Sequence, residues 1–342
     1  MDSIATHVAA AVRKTLRQYQ QTKVRLQRRA FFCKALAGQS DMNVCVNSDL
    51  TVSCTCHDVD GSGHVGDLRH QSVAEVFSGE TANRFRATLA DGRLPTPLCA
   101  RCCDLRTVDR GKAKSLADKH RLPEFIMMEN TSACNLHCVS CPREKIRNMR
   151  SKVSMTLEDV TRVAEELQRA GVRRIGYLNQ GEPFLSKNIG RELHVLRETI
   201  PGVWIHTSTN GQLIDTDEKR EAALLIDEMQ VSLDGIDQQM TDKYQRGLDF
   251  EKVYRNLKAL IEFRDARGLQ RPIVVWKYLL FRFNDRKAYL RRAIEMAREA
   301  KVDQILFERT VSPFYAVPWR SYLGLHNGIG ETVPGGQCVV LR

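Results

Sequence analysis

The sequence contains neither a long apolar run nor an export signal. None of its hydrophobic stretches approaches the ~20 residues of a membrane-spanning helix, and its first residues lack the pattern of a signal peptide. Eleven cysteines would indicate disulfides in a small secreted protein, but clustered cysteines in a reducing compartment indicate metal ligands. We therefore expect a cytoplasmic protein that does not associate with membranes.

Two further patterns are missing. The nine histidines have no metal-ligand spacing, and aromatic residues are not interleaved with basic ones as in surfaces that bind single-stranded nucleic acid. The net charge is +11, and part of it lies in a basic N-terminal region, residues 1–40, where a helix is predicted over 4–36. Because such a charged helix face is usually solvated, a nucleic-acid partner is not expected.

The most informative feature is a group of three cysteines, Cys134, Cys138 and Cys141, with the spacing C-x3-C-x2-C. They follow an apolar run at 124–128. Thiolate sulfur selects iron–sulfur clusters or zinc over hard cations. On a 4Fe–4S cluster, three cysteines leave one iron open to a small molecule. A structural zinc site is the alternative, although such sites normally show two paired ligand sets.

This spacing resembles the signature of the radical S-adenosylmethionine (radical SAM) enzymes, although Ser140 stands where the family usually has an aromatic residue. The resemblance implies that Cys134, Cys138 and Cys141 hold a 4Fe–4S cluster whose fourth iron is chelated by S-adenosylmethionine (SAM). Reduction then cleaves SAM to a 5′-deoxyadenosyl radical that abstracts hydrogen from the substrate. The implied electron source is an external one-electron donor of the flavodoxin or ferredoxin kind.

A second set of cysteines lies upstream, in residues 41–105. This segment resembles the SPASM or twitch module of the same enzymes, which here precedes the radical SAM region. The resemblance implies one auxiliary 4Fe–4S cluster, and we expect its ligands to be Cys45, Cys54, Cys99 and Cys102. Cys56 and Cys103 are rival choices, since each lies within two residues of a predicted ligand. Four paired thiolates also suit a purely structural zinc ribbon, so this alternative stays open.

Residues 106–122 are polar and charged, and we interpret them as a linker. Beyond Pro123, strand-like and helix-like patterns alternate. Strands are predicted at 124–131, 173–179, 203–209, 228–234, 273–281 and 304–309, with helices between them at positions that include 156–170, 250–267 and 285–300. Alternating units predict an α/β fold with a parallel sheet, and the resemblance implies a partial (β/α)6 TIM-like barrel over 123–342.

Polar segments follow the second, third and fourth of these strands. Chemistry in parallel barrels lies at the carboxyl ends of the strands, although each of these segments can also be an ordinary turn. The segment after the second strand resembles the family's Gly-Gly-Glu motif, which implies that it contacts the methionyl ammonium of SAM. The candidate residues for SAM or substrate are Gln180, Gly181, Glu182, Ser208, Asn210, Ser232 and Asp234.

Cys338, near the C-terminus, is a candidate hydrogen donor to a substrate radical. It can equally complete the auxiliary cluster or remain an unreactive thiol. The predicted function is abstraction of hydrogen from an unactivated C–H bond of a small metabolite, such as a sugar or natural-product intermediate, with oxidation or epimerisation as the outcome. The alternatives are a peptide-modifying enzyme and, from another class, a non-catalytic zinc or redox-sensing protein that binds nucleic acid.

Overall fold

The computed structural model describes residues 15–326, 329–333 and 336–341. These residues form two compact units. The first contains the described chain up to Glu129 together with Glu144–Asn179 and Thr199–Val203. The second contains Asn130–Arg143, Gln180–Glu198 and the chain from Trp204 onward. None of the helices in the described ranges is long and apolar enough to cross a membrane.

The first unit combines a two-stranded ribbon with a five-stranded sheet. The ribbon is β1–β5, antiparallel, and the sheet has the order β7-β6-β2-β3-β4, with parallel pairing of β7 with β6 and of β6 with β2. The strands are β1 (Arg29–Cys33), β2 (Cys45–Val46), β3 (Thr51–Ser53), β4 (His64–Asp67), β5 (Leu105–Asp109), β6 (Phe125–Met128) and β7 (Arg174–Gly176). The helices are α1 (15–26), α2 (Val73–Ser78), α3 (Glu80–Ala90), α4 (Arg110–Asp118), α5 (Arg143–Met149) and α6 (Leu157–Arg169).

The N-terminal helix is shorter than predicted. Its predicted residues 4–14 lie outside the described residues, and the described helix ends at residue 26. Arg28 then has a positive φ of 54°, which is incompatible with a continuing right-handed helix. The chain enters β1 instead, so the prediction of a helix up to residue 36 is wrong. The apolar residues Ala30 and Phe31, which lie within the predicted helix, are buried residues of strand β1.

The segment interpreted as a linker, residues 106–122, is ordered within the first unit. Its beginning forms β5, which pairs with β1 along its whole length, from Arg29 opposite Asp109 to Cys33 opposite Leu105. The next residues form α4, in which Ala113 is buried. Most side chains of β5 and α4 remain exposed, and this explains why their composition resembles that of a linker.

The second unit contains a six-stranded sheet and its helices. The strand order is β8-β9-β10-β11-β13-β12, parallel from β8 to β11 and antiparallel beyond. The strands are β8 (Trp204–Thr209), β9 (Glu228–Ser232), β10 (Ile273–Leu280), β11 (Gln304–Arg309), β12 (Glu331–Val333) and β13 (Gly336–Val340). The helices are α7 (Ile189–Thr199), α8 (Asp217–Leu224), α9 (Gln238–Thr241), α10 (Phe250–Asp265), α11 (Lys287–Glu299) and α12 (Trp319–Tyr322).

The alternation of strands and helices predicted from the sequence is present. Each of the six predicted strands contains one of the observed strands β6 to β11, usually trimmed by one or more residues. Helix α6, within the predicted helix 156–170, begins at a capping box in which Thr156 and Asp159 exchange hydrogen bonds, and Gly171 follows it with a φ of 75°. The expected α/β fold with a mostly parallel sheet is therefore confirmed.

Candidate functional site

The three clustered cysteines lie on a loop of the second unit that is held by backbone hydrogen bonds. The amide of His137 donates to the carbonyl of Arg246, and that of Val139 donates to the carbonyl of Tyr244, each at 3.0 Å. The guanidinium of Arg143 donates to the carbonyl of Cys134 at 2.7 Å. These contacts fix the loop through its backbone.

The environment of Cys134 and Cys138 opposes ionisation of their thiols unless a cation is present. Burial, together with the nearby Asp234, Cys141 and Cys134, raises the pKa of Cys138 to about 12. Burial also raises the pKa of Cys134, and Cys141 adds to the effect. Three neighbouring thiolates in such a setting require a metal to stabilise them. The donor set therefore fits an iron–sulfur cluster held by Cys134, Cys138 and Cys141.

Gly181 lies in direct contact with the backbone of the same loop. A Cβ atom at this position would lie 2.0 Å from the carbonyl oxygen of Thr131 and 2.8 Å from that of Ala133. The amide of the next residue, Glu182, donates to the Ala133 carbonyl at 2.7 Å. Only glycine allows this approach, so the turn after the second predicted strand packs against the residues that lead into the cysteine loop.

The carboxylate of Glu182 is buried and receives three hydrogen bonds from the protein. The hydroxyl of Thr209 donates to Oε1 at 2.7 Å, and the amide of Phe184 donates to the same oxygen at 3.1 Å. The amide of Asn210 donates to Oε2 at 2.8 Å. Burial raises the pKa of Glu182, whereas these hydrogen bonds lower it. Glu182 thus joins its own turn to the end of β8.

Two further contacts bring the predicted strand-end residues to the cysteine loop. The side-chain amide of Asn210 donates to Oδ1 of Asn135 at 2.8 Å, and Sγ of Cys141 donates to Oε1 of Gln180 at 3.8 Å. The structure therefore collects Gln180, Glu182 and Asn210 around the loop. Asn135 was missed by the sequence reasoning, because a polar residue between two cysteines carries no distinctive signal.

Ser208, Ser232 and Asp234 lie at the ends of the adjacent strands β8 and β9. The hydroxyl oxygens of Ser208 and Ser232 are 3.3 Å apart. Asp234 is buried, and its Oδ1 accepts a hydrogen bond from the amide of Leu279 at 2.7 Å. Burial raises the pKa of Asp234 to about 7, so this carboxyl group is able to exchange a proton near neutral pH.

Four cysteines of the first unit line a single cavity, and they are not the predicted four. Cys54, Cys99 and Cys102 are among them, but the fourth is Cys33, at the end of β1. The remaining lining is mostly apolar: Leu36, Thr55, Phe85, Leu89, Thr96, Leu98 and Leu105. Its volume is about 20 Å³, which is room for about one water molecule. A cluster bound here would therefore separate the four side chains.

The electrostatics of this cavity resemble those of the cysteine loop. Burial, together with the nearby Cys102 and Cys99, raises the pKa of Cys33 to about 12. Burial likewise raises the pKa of Cys102 to about 11 and that of Cys54 well above its usual value. In the ranges that the structure covers, no group of His, Cys, Asp or Glu side chains is preformed around a single metal ion.

Cys45 lies outside this cavity. It is completely buried and packs in an apolar cluster with Cys56, Phe125 and Met127. Its sulfur accepts a hydrogen bond from the side chain of Asn179 at 3.4 Å. Cys33 was not among the ligands considered from the sequence, and it falls in the segment predicted as a helix. The strand β1 is the feature that brings Cys33 to the other three.

The rival cysteines Cys56 and Cys103 are not part of the cavity lining either. Both contact the side chain of Asn43, whose amide donates to Sγ of Cys103 at 3.1 Å. The Sγ of Cys56 lies 3.7 Å from Oδ1 of Asn43 and 3.1 Å from Nδ1 of His57. These two thiols therefore share one polar neighbour beside the cavity.

Cys338 lies away from the carboxyl ends of the parallel strands. It pairs with Leu306 within β13 and β11, and its Sγ donates to Oε1 of Gln304 at 3.6 Å. Gln304 is the first residue of β11, and a strand of six residues is roughly 17 Å long. The thiol is therefore at the edge opposite to the one where Ser208, Asn210 and Asp234 are found, and the geometry does not support its predicted role as hydrogen donor.

Two family models match the chain. Residues 128–266 match the model described as the Radical SAM superfamily, and residues 33–103 match the SPASM model, described as an iron–sulfur cluster-binding domain. The two models confirm the resemblance found in the sequence, including the order of the two regions. They also confirm the cofactors that it implied, which are a SAM-binding 4Fe–4S cluster, SAM and an auxiliary iron–sulfur cluster. The second match begins at Cys33.

The chain is also similar to individual proteins. It is 30% identical over 162 residues to a GTP 3′,8-cyclase of Peptoclostridium acidaminophilum, which covers 47% of this chain and 48% of the relative. It is 28% identical over 142 residues to a GTP 3′,8-cyclase of Chlorobaculum tepidum, with coverages of 41% and 42%. The chain thus spans about half the length of these relatives. A solved structure, native anSMEcpe with bound AdoMet, is similar with a TM-score of 0.41 and 17% identity, over 54% of this chain and 50% of that one.

Proposed function

From a radical SAM region that follows a SPASM-type module, we propose an enzyme that reductively cleaves SAM and uses the 5′-deoxyadenosyl radical to abstract hydrogen from an unactivated C–H bond of a small metabolite. An external one-electron donor, of the flavodoxin or ferredoxin kind, reduces the cluster. The observation that carries the proposal is the convergence of Gln180, Glu182 and Asn210 on the loop of the three cysteines.

Each residue of this site has a proposed task. Cys134, Cys138 and Cys141 hold the SAM-binding cluster. Gly181 allows its turn to approach the loop, and Glu182 is a positioning residue, since its oxygens already bond to Thr209, Asn210 and Phe184. The residues proposed to contact SAM or substrate are Gln180, Ser208, Asn210, Ser232 and Asp234.

For the auxiliary cluster we propose the ligand set Cys33, Cys54, Cys99 and Cys102. This set is supported by the single cavity that the four thiols line and by the raised pKa values of Cys33, Cys54 and Cys102. These four cysteines would hold a cluster able to supply one-electron chemistry, which a two-electron oxidation of a substrate radical requires. We propose oxidation rather than epimerisation, because Cys338, the predicted hydrogen donor, does not lie at the carboxyl ends of the parallel strands.

The experiment that tests the proposal is anaerobic analysis of iron, sulfide and zinc, together with the formation of 5′-deoxyadenosine from SAM under a strong reductant. We expect about eight iron atoms per protein molecule, since each of the two 4Fe–4S clusters contains four. The triple variant Cys134→Ala/Cys138→Ala/Cys141→Ala should keep about four and form no 5′-deoxyadenosine.

Other results of the same measurement overturn the proposal. Zinc without iron in the wild type would indicate the non-catalytic zinc protein instead. A full complement of iron with no 5′-deoxyadenosine under any reductant would argue against radical chemistry. A peptide-modifying enzyme would release 5′-deoxyadenosine in the presence of a peptide and not of small metabolites.

A further inference from the structure

A second feature of the second unit is an open cavity of about 500 Å³. It is lined by five residues that come from the segments after α9, β10 and β11: Lys243, Arg282, Phe283, Tyr315 and Ala316. Its volume is within the range of pockets that bind small molecules. Its lining combines two cations with two aromatic rings, and it contains no carboxylate.

The cavity is connected to the cysteine loop by a short series of aromatic rings. The hydroxyl of Ser140 lies 3.5 Å from that of Tyr244. The ring of Tyr244 is 4.4 Å from that of Phe281, which in turn stacks on Phe283 at 5.1 Å with an interplanar angle of 7°. Two rings, those of Tyr244 and Phe281, thus separate the cysteine loop from Phe283, so the cavity belongs to the same unit as the loop and is connected to it through packed side chains.

The two cations of the cavity have no carboxylate to neutralise them. The ammonium of Lys243 lies 5.5 Å above the ring of Phe283, and the guanidinium of Arg282 donates only a long, 3.4 Å hydrogen bond to the carbonyl of Tyr315. In the part of the chain that the structure describes, neither side chain forms an ion pair. By contrast, nearby Arg320 is paired with Asp285 at 2.6 Å.

A second cavity of this unit provides a comparison. It has a similar volume, about 530 Å³, but its cations Lys187 and Lys219 share the lining with Asp215 and Glu218. Its charges are therefore balanced by its own residues. Of these two cavities, the one around Lys243 and Arg282 combines positive charge that its own lining does not balance with aromatic faces, and that combination selects its ligand.

Cations without partners favour an anion, and guanidinium and ammonium groups suit phosphate in particular. Aromatic faces favour a planar ring, and bases stack on such side chains. The side chain of Phe283 is half-buried, whereas that of Tyr315 is 66% exposed. Phe283 is therefore held in place by its neighbours, and the ring of Tyr315 is open to a ligand. A carboxylate metabolite leaves the rings unused, and an apolar ligand leaves the cations without counter-charge.

We propose that this cavity binds a nucleoside phosphate, with its base against Phe283 and Tyr315 and its phosphate against Lys243 and Arg282. The identification of this ligand as the substrate rests on the proposed radical function, whereas its binding does not. The ligand is either a free nucleotide or the same unit within an RNA chain, and the two differ in whether a chain is needed for binding.

The test is anaerobic titration of the reconstituted protein with five probes: GMP, GTP, guanosine, inorganic phosphate and a short single-stranded RNA. We expect the nucleotide to bind more tightly than the nucleoside or phosphate alone. The variant Lys243→Ala/Arg282→Ala should weaken nucleotide binding by about tenfold or more. Both residues are exposed, so the fold is retained. Tyr315→Ala should weaken nucleotide binding and leave phosphate binding unchanged.

A matched control removes the same charge elsewhere. Lys187→Ala/Arg191→Ala takes two exposed cations from the same unit and should leave the affinity unchanged. If both double variants lower the affinity for nucleotides equally, the effect arises from the net charge of the protein and the proposal fails. It fails also if inorganic phosphate binds as tightly as a nucleotide, or if the wild type binds none of the probes. If Tyr315→Ala changes only the oligomeric state, the face is covered by a second copy instead.

Formation of 5′-deoxyadenosine without added substrate separates this inference from the proposed function. Intact SAM cleavage with no nucleotide binding overturns only the nucleotide site. Nucleotide binding without SAM cleavage overturns the radical function and leaves the site as a binding site. If RNA binds more tightly than free GMP, the natural ligand is a nucleotide within an RNA chain. If the two bind equally, the natural ligand is a free nucleotide.

Discussion

Oε2 of Glu182 accepts a hydrogen bond of 2.8 Å from the backbone amide of Asn210, while the side chain of Asn210 reaches Asn135 on the cysteine loop. Three separate chain segments are therefore joined by one buried carboxylate and one side-chain amide. Because Glu182 is 2% exposed, water cannot replace these hydrogen bonds, and the site depends on the carboxylate for its shape.

Replacing Glu182 by glutamine should disrupt this junction. A glutamine directs an NH₂ group at one of the donors that now meet an oxygen, which leaves buried donors facing each other at a cost of about 1–3 kcal/mol. We expect a lower melting temperature and a lower rate of 5′-deoxyadenosine formation. The matched control is Glu198→Gln, at a carboxylate that is 70% exposed and contacts His194. Equal effects of the two changes would contradict the positioning role.

Gly181→Ala tests the close approach to the cysteine loop. The new methyl group would lie 2.0 Å from the Thr131 carbonyl oxygen, so the backbone must move, at a cost of about 1–3 kcal/mol. We expect weaker binding of SAM and loss of up to half of the iron, measured by titration and by iron analysis. Gly190→Ala is the control, since its Cβ would meet Ala222 at an ordinary 3.7 Å. Unchanged SAM affinity in Gly181→Ala would refute the argument.

Cys33→Ala and Cys45→Ala distinguish the two ligand sets of the auxiliary cluster. Cys33 lines the cavity with three other thiols, whereas Cys45 is packed among apolar side chains. We expect the iron content to fall from about eight to about four only in Cys33→Ala. The opposite pattern would restore Cys45 as the ligand, and loss of iron in both variants would indicate general unfolding of the module. Circular dichroism of both variants checks this last point.

The protonation of Asp234 should make stability depend on pH. Burial raises its pKa from 3.8 to about 7, so the folded protein binds this proton more tightly than the unfolded chain. The stabilisation is complete below about pH 4 and is lost as pH rises through about 7, by on the order of 4 kcal/mol. Asp234→Asn should flatten the melting temperature between pH 5.5 and 8. If the melting temperature of Asp234→Asn changed with pH as steeply as that of the wild type, the pH dependence would arise from other groups.

The sequence predicted those parts of the protein whose signal is local. The spacing of Cys134, Cys138 and Cys141 and the alternation of apolar runs after Pro123 each lie within a short window, and both predictions agree with the family models and the observed strands. Gln180, Glu182 and Asn210 were predicted from the resemblance of their segments to those of the radical SAM family, together with their position after apolar strands. Each of these signals lies within a short stretch of the sequence.

What was missed depends on long-range pairing. Cys33 joins Cys99 and Cys102 because β1 pairs with β5, over 70 residues apart in sequence, and no local pattern indicates that pairing. The helical pattern was extended over β1 since strand and helix segments are ambiguous when short and apolar. Likewise, the contact between Gly181 and Thr131 is a packing relationship that the letters Gly-Glu-Pro do not contain.

The cavity in the first unit has a consequence for the supply of iron. Its four thiols come from β1, from the residues after β3 and from the turn at Pro97–Arg101 with the residue that follows it. A cluster held by them would bind together distant points of the chain and restrict the unfolded state as a multiple cross-link does. Without iron, this module of the newly made protein would then fail to fold. We therefore expect iron starvation to expose the protein to proteolysis, rather than to leave a folded protein that lacks one catalytic step.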